Sequence, residues 1–418
     1  MKEIKRDLYL NKLIDRKEND MIKVITGIRR CGKSYLLFEL YYKYLLSIGV
    51  DKSRIIKIAL DSDEYEELNN AKKLGDYIRK LIKDDGIYYI FLDEVQFVDG
   101  FEKVLNGLNR IPNLDIYVTG SNSKFLSTDI LTEFRGRGDE VRIYPLSFYE
   151  FVNGFEGTKE EAWNEYITYG GLPLILSRKN DEQKSKYLND LFEKVYFADI
   201  IERNNLQKDD VLEAIVNMLA SSIGSLTNPT KIANTFESNN IKGVSDKTVS
   251  SYINFLMEAF MINKVERYDI KGKKYIGSPL KYYYTDVGLR NARLNFRQQE
   301  ENHIMENIIY NELCYREFNV DVGVVEYFYK DENKKSARTQ LEIDFVANKG
   351  SKKYYIQSTL TVADEEKRQQ EIRSLNRVGD SFKKIVVVKD NIIPWHDENG
   401  ILYIGIEQFL LEENAMDL

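Results

Sequence analysis

Eight consecutive residues, Gly27–Ser34 (GIRRCGKS), match the pattern G-x-x-x-x-G-K-[ST] by which a chain can hold a triphosphate. In such a loop the backbone N–H groups of Gly27, Ile28, Arg29, Arg30, Cys31 and Gly32 can turn inward on phosphate oxygens. Lys33 can reach the outer phosphates, and the Ser34 hydroxyl can ligate Mg²⁺. Tyr35 opens an apolar helical run whose N-terminus would aim its partial positive charge at the same anion. Hydrolysis of the bound ATP needs two more things, a ligand for Mg²⁺ and a group that orients or deprotonates water. The segment Tyr88–Glu94 (YYIFLDE) offers both: a strand ending in Asp93, expected to hold Mg²⁺, and Glu94, expected to act as general base. The next apolar run ends at Gly120, where Ser121 and Asn122 could sense the terminal phosphate, although small polar residues after a strand are also ordinary turn chemistry. Arg135 and Arg137 flank Gly136, and an arginine there could stabilise charge on a transferring phosphoryl group or lie idle on the surface.

These residues need a scaffold. Apolar runs at Lys23–Thr26, Ile55–Ala59, Tyr88–Leu92, Asp115–Thr119 and Glu140–Tyr144 alternate with amphipathic stretches such as Leu74–Lys83 and Phe101–Arg110. That alternation predicts a mostly parallel sheet with helices on both faces, and ligands of such sheets gather at the carboxyl ends of strands. Residues 156–225 read as all-helical. The length of 418 residues calls for more than one core. A hydrophobic content of 43% and charged content of 30% belong to a globular protein, and no apolar run approaches the roughly 20 residues of a membrane span. The N-terminus lacks the apolar core of a signal peptide, and Cys31 and Cys314 are too far apart in sequence for a metal motif, so a cytoplasmic setting is expected.

The formal charge of −7 does not favour nucleic acid, but residues 228–293 carry 11 Lys and Arg against 6 Asp and Glu, a local excess of +5. This stretch reads as helix Thr230–Ser238, helix Ser245–Ala259 with Ser245 as N-cap, and a hairpin over Ile262–Tyr284 turning at Lys271–Lys273, which is the winged-helix pattern. Lys247 and Thr248 on the second helix, and Lys271, Lys273 and Lys274 at the hairpin tip, are candidate DNA contacts; the alternative is a module that packs as a structural relay. Further on, helix His303–Phe318 carries Glu306, strand Gln340–Ala347 carries Asp344, and strand Tyr354–Thr359 carries Gln357. The order resembles the restriction-endonuclease-like PD-(D/E)xK fold, in which carboxylates hold a divalent metal and a lysine helps activate water. Here Gln357 stands in place of a carboxylate and Thr359 in place of the lysine, which leaves open an inactive module or one that keeps a metal on Glu306 and Asp344, with Glu342 on the same strand face.

GIRRCGKS, FLDEVQ, TGSNSKFL, GRGDEVRIYPLSFYEF and Tyr169–Pro173 (YGGLP) occur in that order and together resemble a large bacterial and archaeal group of AAA-type P-loop ATPases with a winged helix and a C-terminal nuclease-like domain. The resemblance covers nearly the whole chain. It implies that Arg137 is the family arginine preceding the PLSF segment, and that Gly171–Pro173 matches a motif whose proline, Pro173, packs near adenine. The implied architecture is α/β throughout its ends: an ATPase core over 1–155, a helical lid over 156–227, a winged helix over 228–295 and a restriction-endonuclease-like domain over 296–418. The expected ligands are ATP and Mg²⁺, with DNA as a candidate partner, no membrane, and a homo-oligomer as one arrangement in which Arg137 would act, in cis or from a neighbouring copy.

Overall fold

The computed structural model describes residues 3–121, 134, 136–206, 210–297, 300–330 and 336–418; at 328–330 and 336–338 it describes the backbone alone. The chain divides into two compact units. The first comprises Met1–Leu146, Leu172–Ser177 and Glu258–Phe260; the second comprises Ser147–Gly171, Arg178–Met257 and Met261–Leu418.

The first unit is built on five parallel strands, β1 (Ile22–Thr26), β2 (Ile55–Ala59), β3 (Tyr88–Asp93), β4 (Leu114–Gly120) and β5 (Gly138–Arg142), in the order β2-β3-β4-β1-β5. Alternate residues explain its two faces. Ile22, Val24, Ile56, Ile58, Ile90, Leu92, Ile116 and Val118 join one buried cluster with Leu74 and Ile78 of helix Ala71–Leu81 and with Val104, Leu105 and Leu108 of helix Phe101–Leu108. On the opposite face Phe91 and Tyr117 pack against Tyr41, with ring centroids 5.7 and 4.9 Å from it. Tyr41 lies in the helical run after the Gly27–Ser34 loop, which passes from an α turn (Lys33–Tyr35) through a π segment (Leu36–Tyr41) back to α (Tyr42–Ser47). Strands covered on both faces are apolar almost throughout, which is why β3 shows no polar alternation until Asp93.

The register matters for function. Parallel pairing sets Ile25 beside Thr119, Thr26 beside Gly120, and Leu92 beside Val118. The carboxyl ends of β1, β4 and β3 therefore stand side by side, where chain order reverses across the sheet. Strand β5 begins two residues earlier than expected, because Ile22 N–H donates to Arg137 O at 2.8 Å and pairing starts at Ile22 and Gly138.

The second unit opens with helices. Ser147 with Glu150 and Thr158 with Glu161 form capping boxes at the starts of Phe148–Gly154 and Lys159–Tyr169. Asn228 caps Pro229–Ser238, where Pro229 occupies the first turn, and Ser245 accepts from Thr248 N–H at 3.1 Å at the start of Asp246–Glu258. An eight-stranded mixed sheet follows: β6 (Ile262–Asp269), β7 (Lys274–Tyr284), β8 (Asn319–Lys330), β9 (Ser336–Lys349), β10 (Lys352–Thr359), β11 (Lys383–Val388), β12 (Trp395–His396) and β13 (Leu402–Gly405), in the order β12-β13-β11-β10-β9-β8-β6-β7. The hairpin β6–β7 is not separate from it: β6 pairs in parallel with β8 through Arg267 and Val322, Tyr268 and Gly323, and Asp269 and Val324. A continuous sheet thus crosses the division expected between residues 295 and 296. Helix Glu301–Tyr315 carries nine buried residues and contributes Ile308, Ile309 and Leu313 to the interior.

Candidate functional site

One cluster of buried charged residues in each unit corresponds to a site expected from the sequence. In the first, the loop after β1 has a conformation that its glycines dictate. Gly27 has φ of +140°, and a Cβ there would lie 2.1 Å from the Ile143 carbonyl oxygen, so any side chain would collide with backbone. Gly32 has φ of +104° and leads directly into the helical turn at Lys33. Lys33, buried, folds back on its own loop: Nζ donates to Gly27 O at 3.0 Å and Ile28 O at 3.2 Å and stands 4.0 Å from Glu94 Oε1. Cys31 is buried with its Sγ 3.8 Å from Ile143 O, and burial pushes its thiol pKa up, which makes it packing rather than a reactive thiol. Tyr35 and Arg30 are exposed, and Arg29 donates Nε to Ser121 Oγ at 3.3 Å.

Asp93 and Glu94 occupy the end of β3 as their positions imply. Burial raises the Asp93 pKa; the hydroxyls of Thr119 and Ser34 partly offset it, while the neighbouring Glu94 adds to the rise and Lys33 opposes it. Glu94 adopts a left-handed conformation (φ 52°, ψ 50°), a cost of about 1–3 kcal/mol for a non-glycine residue. Its N–H donates to Thr119 Oγ1 at 2.9 Å, the same oxygen that donates to Asp93 Oδ1, and Gln96 Nε2 donates to its Oε2. Thr119 is therefore a functional residue missed in the sequence, where attention falls on Ser121 and Asn122 just beyond it. The site has the chemistry a hydrated Mg²⁺ requires: a buried carboxylate and a serine hydroxyl at close quarters, with oxygen donors only.

Three more residues bear on this site. Arg6, buried, donates Nη1 to Cys31 O at 2.9 Å and Nη2 to Tyr144 O at 2.7 Å, tying the loop to the segment after β5. Nothing in the charged stretch around Arg6 signals this, because the partners are backbone atoms. Pro173 begins a 3₁₀ turn (Pro173–Ser177) in the first unit, and its Cγ is 3.9 Å from where a Cβ of Gly32 would stand. Arg137 pairs its carbonyl oxygen with Ile22 N–H, at the amino end of β1, while the phosphate loop leaves the carboxyl end. Four strand residues, about 13 Å of rise, separate the two ends. Asn122 and Arg135 lie outside the described residues.

The second cluster gathers Glu306 and Asp344, as their order in sequence implies, and adds an unforeseen member. Lys281 of β7 places Nζ 2.8 Å from Glu306 Oε1 and 2.7 Å from Glu342 Oε1. Tyr283 OH also donates to Glu306 Oε1. Asp344 Oδ2 accepts from Ser358 N–H at 2.8 Å and Ser358 Oγ at 2.7 Å. Burial, then the charge of Glu306, push the Asp344 pKa up to about 7, against the pull of Lys281 and Ser358. Burial also works against charge on Glu306, but Lys281, His303 and Tyr283 together outweigh it and the Glu306 pKa is lowered. His303, with Nδ1 3.9 Å from Glu306 Oε2, has its pKa raised by that carboxylate. Gln357 turns its Oε1 to Asp344 N–H at 3.3 Å and its Nε2 toward Glu371 Oε2 at 3.5 Å. Among the described residues no group of three or more His, Cys, Asp or Glu is arranged to hold a metal ion. A divalent metal does not fit this cluster as it stands: the Lys281 ammonium already bridges two of its carboxylates, Glu306 and Glu342.

The DNA candidates lie outside both clusters. Lys247, Lys271, Lys273 and Lys274 are exposed, while Thr248 is half-buried and bonded to Ser245 through their hydroxyls at 3.0 Å. Among the described residues no helix is long and apolar enough to cross a membrane.

Comparison with known proteins agrees with the geometry of the first unit. The model of an AAA domain matches residues 19–152, and that of a domain of unknown function, DUF8612, matches residues 160–300. A solved Walker-type ATPase of Pyrococcus abyssi is similar in fold, with a TM-score of 0.50 at 17% identity over 70% of this chain and 96% of that one. An uncharacterized protein of Haemophilus influenzae is 34% identical over 98% of this chain and 99% of its own length. Another, of Methanocaldococcus jannaschii, is 30% identical over 95% of this chain and 86% of its own. The chain thus belongs, over nearly its whole length, to one family with these bacterial and archaeal relatives, and carries an AAA domain over residues 19–152.

Proposed function

We propose that the protein is a Mg²⁺-dependent ATPase whose hydrolysis cycle switches the modules that follow the core. One observation carries this reading: Thr119 Oγ1 links Asp93 and Glu94 at the end of β3, with Lys33 4.0 Å from Glu94. ATP brings the phosphates and Mg²⁺ neutralises charge on their oxygens when bound. Ser34 and Asp93 would hold that ion, Asp93 losing its raised pKa in its presence. The backbone N–H groups of the loop bind the phosphates, and Lys33 exchanges the carbonyls of Gly27 and Ile28 for phosphate oxygens. Glu94, held in its strained conformation by Thr119, takes the proton of the attacking water. Ser121, one residue past β4, is the candidate contact for the terminal phosphate, and Pro173, beside Gly32, the candidate adenine contact.

Arg137 contributes, on this reading, from a neighbouring copy, because its own strand carries it away from its own loop. Unchanged turnover in Arg137→Ala would remove it from catalysis. The helices of residues 156–227 act as a lid, and the two helices and hairpin of residues 228–295 act as a winged helix. The exposed Lys247, Lys271, Lys273 and Lys274 favour DNA as the partner of that module. Binding to duplex DNA should then weaken steeply between 50 and 200 mM salt, roughly tenfold or more if several phosphates are contacted, and no binding at low salt would leave it a structural relay.

The test of the catalytic core is Glu94→Gln. It should retain ATP binding while turnover falls by roughly 100- to 10,000-fold, the span of a lost general base. Unchanged turnover would mean that nucleotide is only a structural ligand.

A further inference from the structure

The buried cluster of the second unit has its own cation. Lys281 is 3% exposed, Glu306 7% and Asp344 8%, so the Lys281–Glu306 pair is shielded from water, while Glu342 is half-buried at the rim. Two N–H groups of the ammonium are spent on Glu306 and Glu342. One oxygen of each of two carboxylates is committed as well. Glu306 Oε1 accepts from both Lys281 and Tyr283, and Asp344 Oδ2 accepts from both the backbone and hydroxyl of Ser358. The chain also closes over the cluster: a Cβ at Gly224 would come within 3.1 Å of Glu306 Oε1 and 3.1 Å of His303 Nδ1. Gln357, which would be the remaining metal ligand, is turned to the Asp344 backbone.

We infer that the Lys281 ammonium is the resident cation of this carboxylate cluster, standing where a divalent metal would otherwise bind, so that the module keeps its fold without a catalytic metal. The burial of Glu306 requires a positive partner, and β7 delivers one from the hairpin that joins the sheet. Lysine is compact enough to fill the space between two carboxylates and brings its charge with its own chain, which no ion concentration can remove. A lysine that activated metal-bound water would stand beside the ion, not between its ligands.

The experiment counts Mn²⁺ bound to the full chain without nucleotide, by electron paramagnetic resonance, in wild type, Asp344→Asn, Lys281→Met and Lys281→Met/Asp344→Asn. Wild type should bind no Mn²⁺ that Asp344→Asn removes. Lys281→Met should gain one site, with a Mn²⁺-dependent rise in melting temperature, and the double variant should lose both. If Lys281→Met does not fold, Lys281→Met/Glu342→Gln, which relieves one negative charge and keeps Glu306 and Asp344, takes its place. Mn²⁺ bound by wild type and lost in Asp344→Asn would overturn the inference. So would a folded Lys281→Met chain that gains no site, or Mn²⁺-dependent DNA cleavage by wild type that disappears in Lys281→Met.

Discussion

Both units bury a lysine among acidic residues, and the two arrangements differ in what holds the ammonium. Lys33 rests on neutral carbonyls of its own loop, 4.0 Å from Glu94, and the carboxylate of Asp93 is held by hydroxyls. Each of these contacts can be exchanged for a phosphate oxygen or a hydrated ion without leaving a charge stranded. Lys281 is bonded to carboxylates directly, at 2.7 and 2.8 Å, and nothing can enter without breaking an ion pair. The same residue types thus make an open site in the first unit and a closed one in the second. The distinction is whether the lysine's partners are neutral or charged.

The largest effect should come from breaking the closed cluster. Lys281→Met leaves Glu306 buried without its partner, a loss of about 3–5 kcal/mol, read as a lower denaturation midpoint of the second unit. An unchanged midpoint would show that the pair contributes nothing and blur the contrast. In the open site, Thr119→Val removes the hydroxyl that serves both acids. It should cost about 1–3 kcal/mol of transition-state stabilisation, or roughly 5- to 150-fold in ATP turnover, with ATP binding less affected. Equal losses in binding and turnover would place Thr119 in loop stability alone.

A third effect is in pH. Asp344 has its pKa raised from 3.8 to about 7 in the folded chain, so between those values the folded state holds a proton the unfolded state has lost. Its contribution to stability is complete below pH 3.8 and is lost as pH rises through 7. Relative to Asp344→Asn, whose amide oxygen can still accept from Ser358, wild type should lose at most about 1.4 kcal/mol per pH unit across that window, with no further loss above it. Glu306 and Lys281 act on the same group, with Glu342 and His303 paired to them in turn, and parallel pH profiles of the two proteins would show that they keep Asp344 ionised.

The sequence discloses the open site more fully than the closed one for a physical reason. Gly27–Ser34 is contiguous, and Asp93–Glu94 ends an unbroken apolar strand, so local chemistry and local structure coincide. Thr119 hides one residue inside its strand, and only the pairing of β3 with β4 brings its hydroxyl to Asp93. Residue order leaves Arg137 open to act in cis or from a neighbouring copy, because only the pairing of β5 with β1 shows that its backbone lies at the amino end of β1. In the second unit, Glu306 and Asp344 follow from their elements, but Lys281 lies 25 residues from Glu306 on a hairpin assigned by pattern to another module. Its place depends on the parallel pairing of β6 with β8, a long-range contact without a local signal. The short strands β12 and β13 are similarly silent.

The most direct test of this contrast is to count Mn²⁺ ions on the full chain in the presence and absence of a non-hydrolysable ATP analogue. One ion should bind, dependent on nucleotide, lost in Asp93→Asn and indifferent to Asp344→Asn. An ion that binds without nucleotide and vanishes in Asp344→Asn, or no ion in the presence of the analogue, would contradict the account.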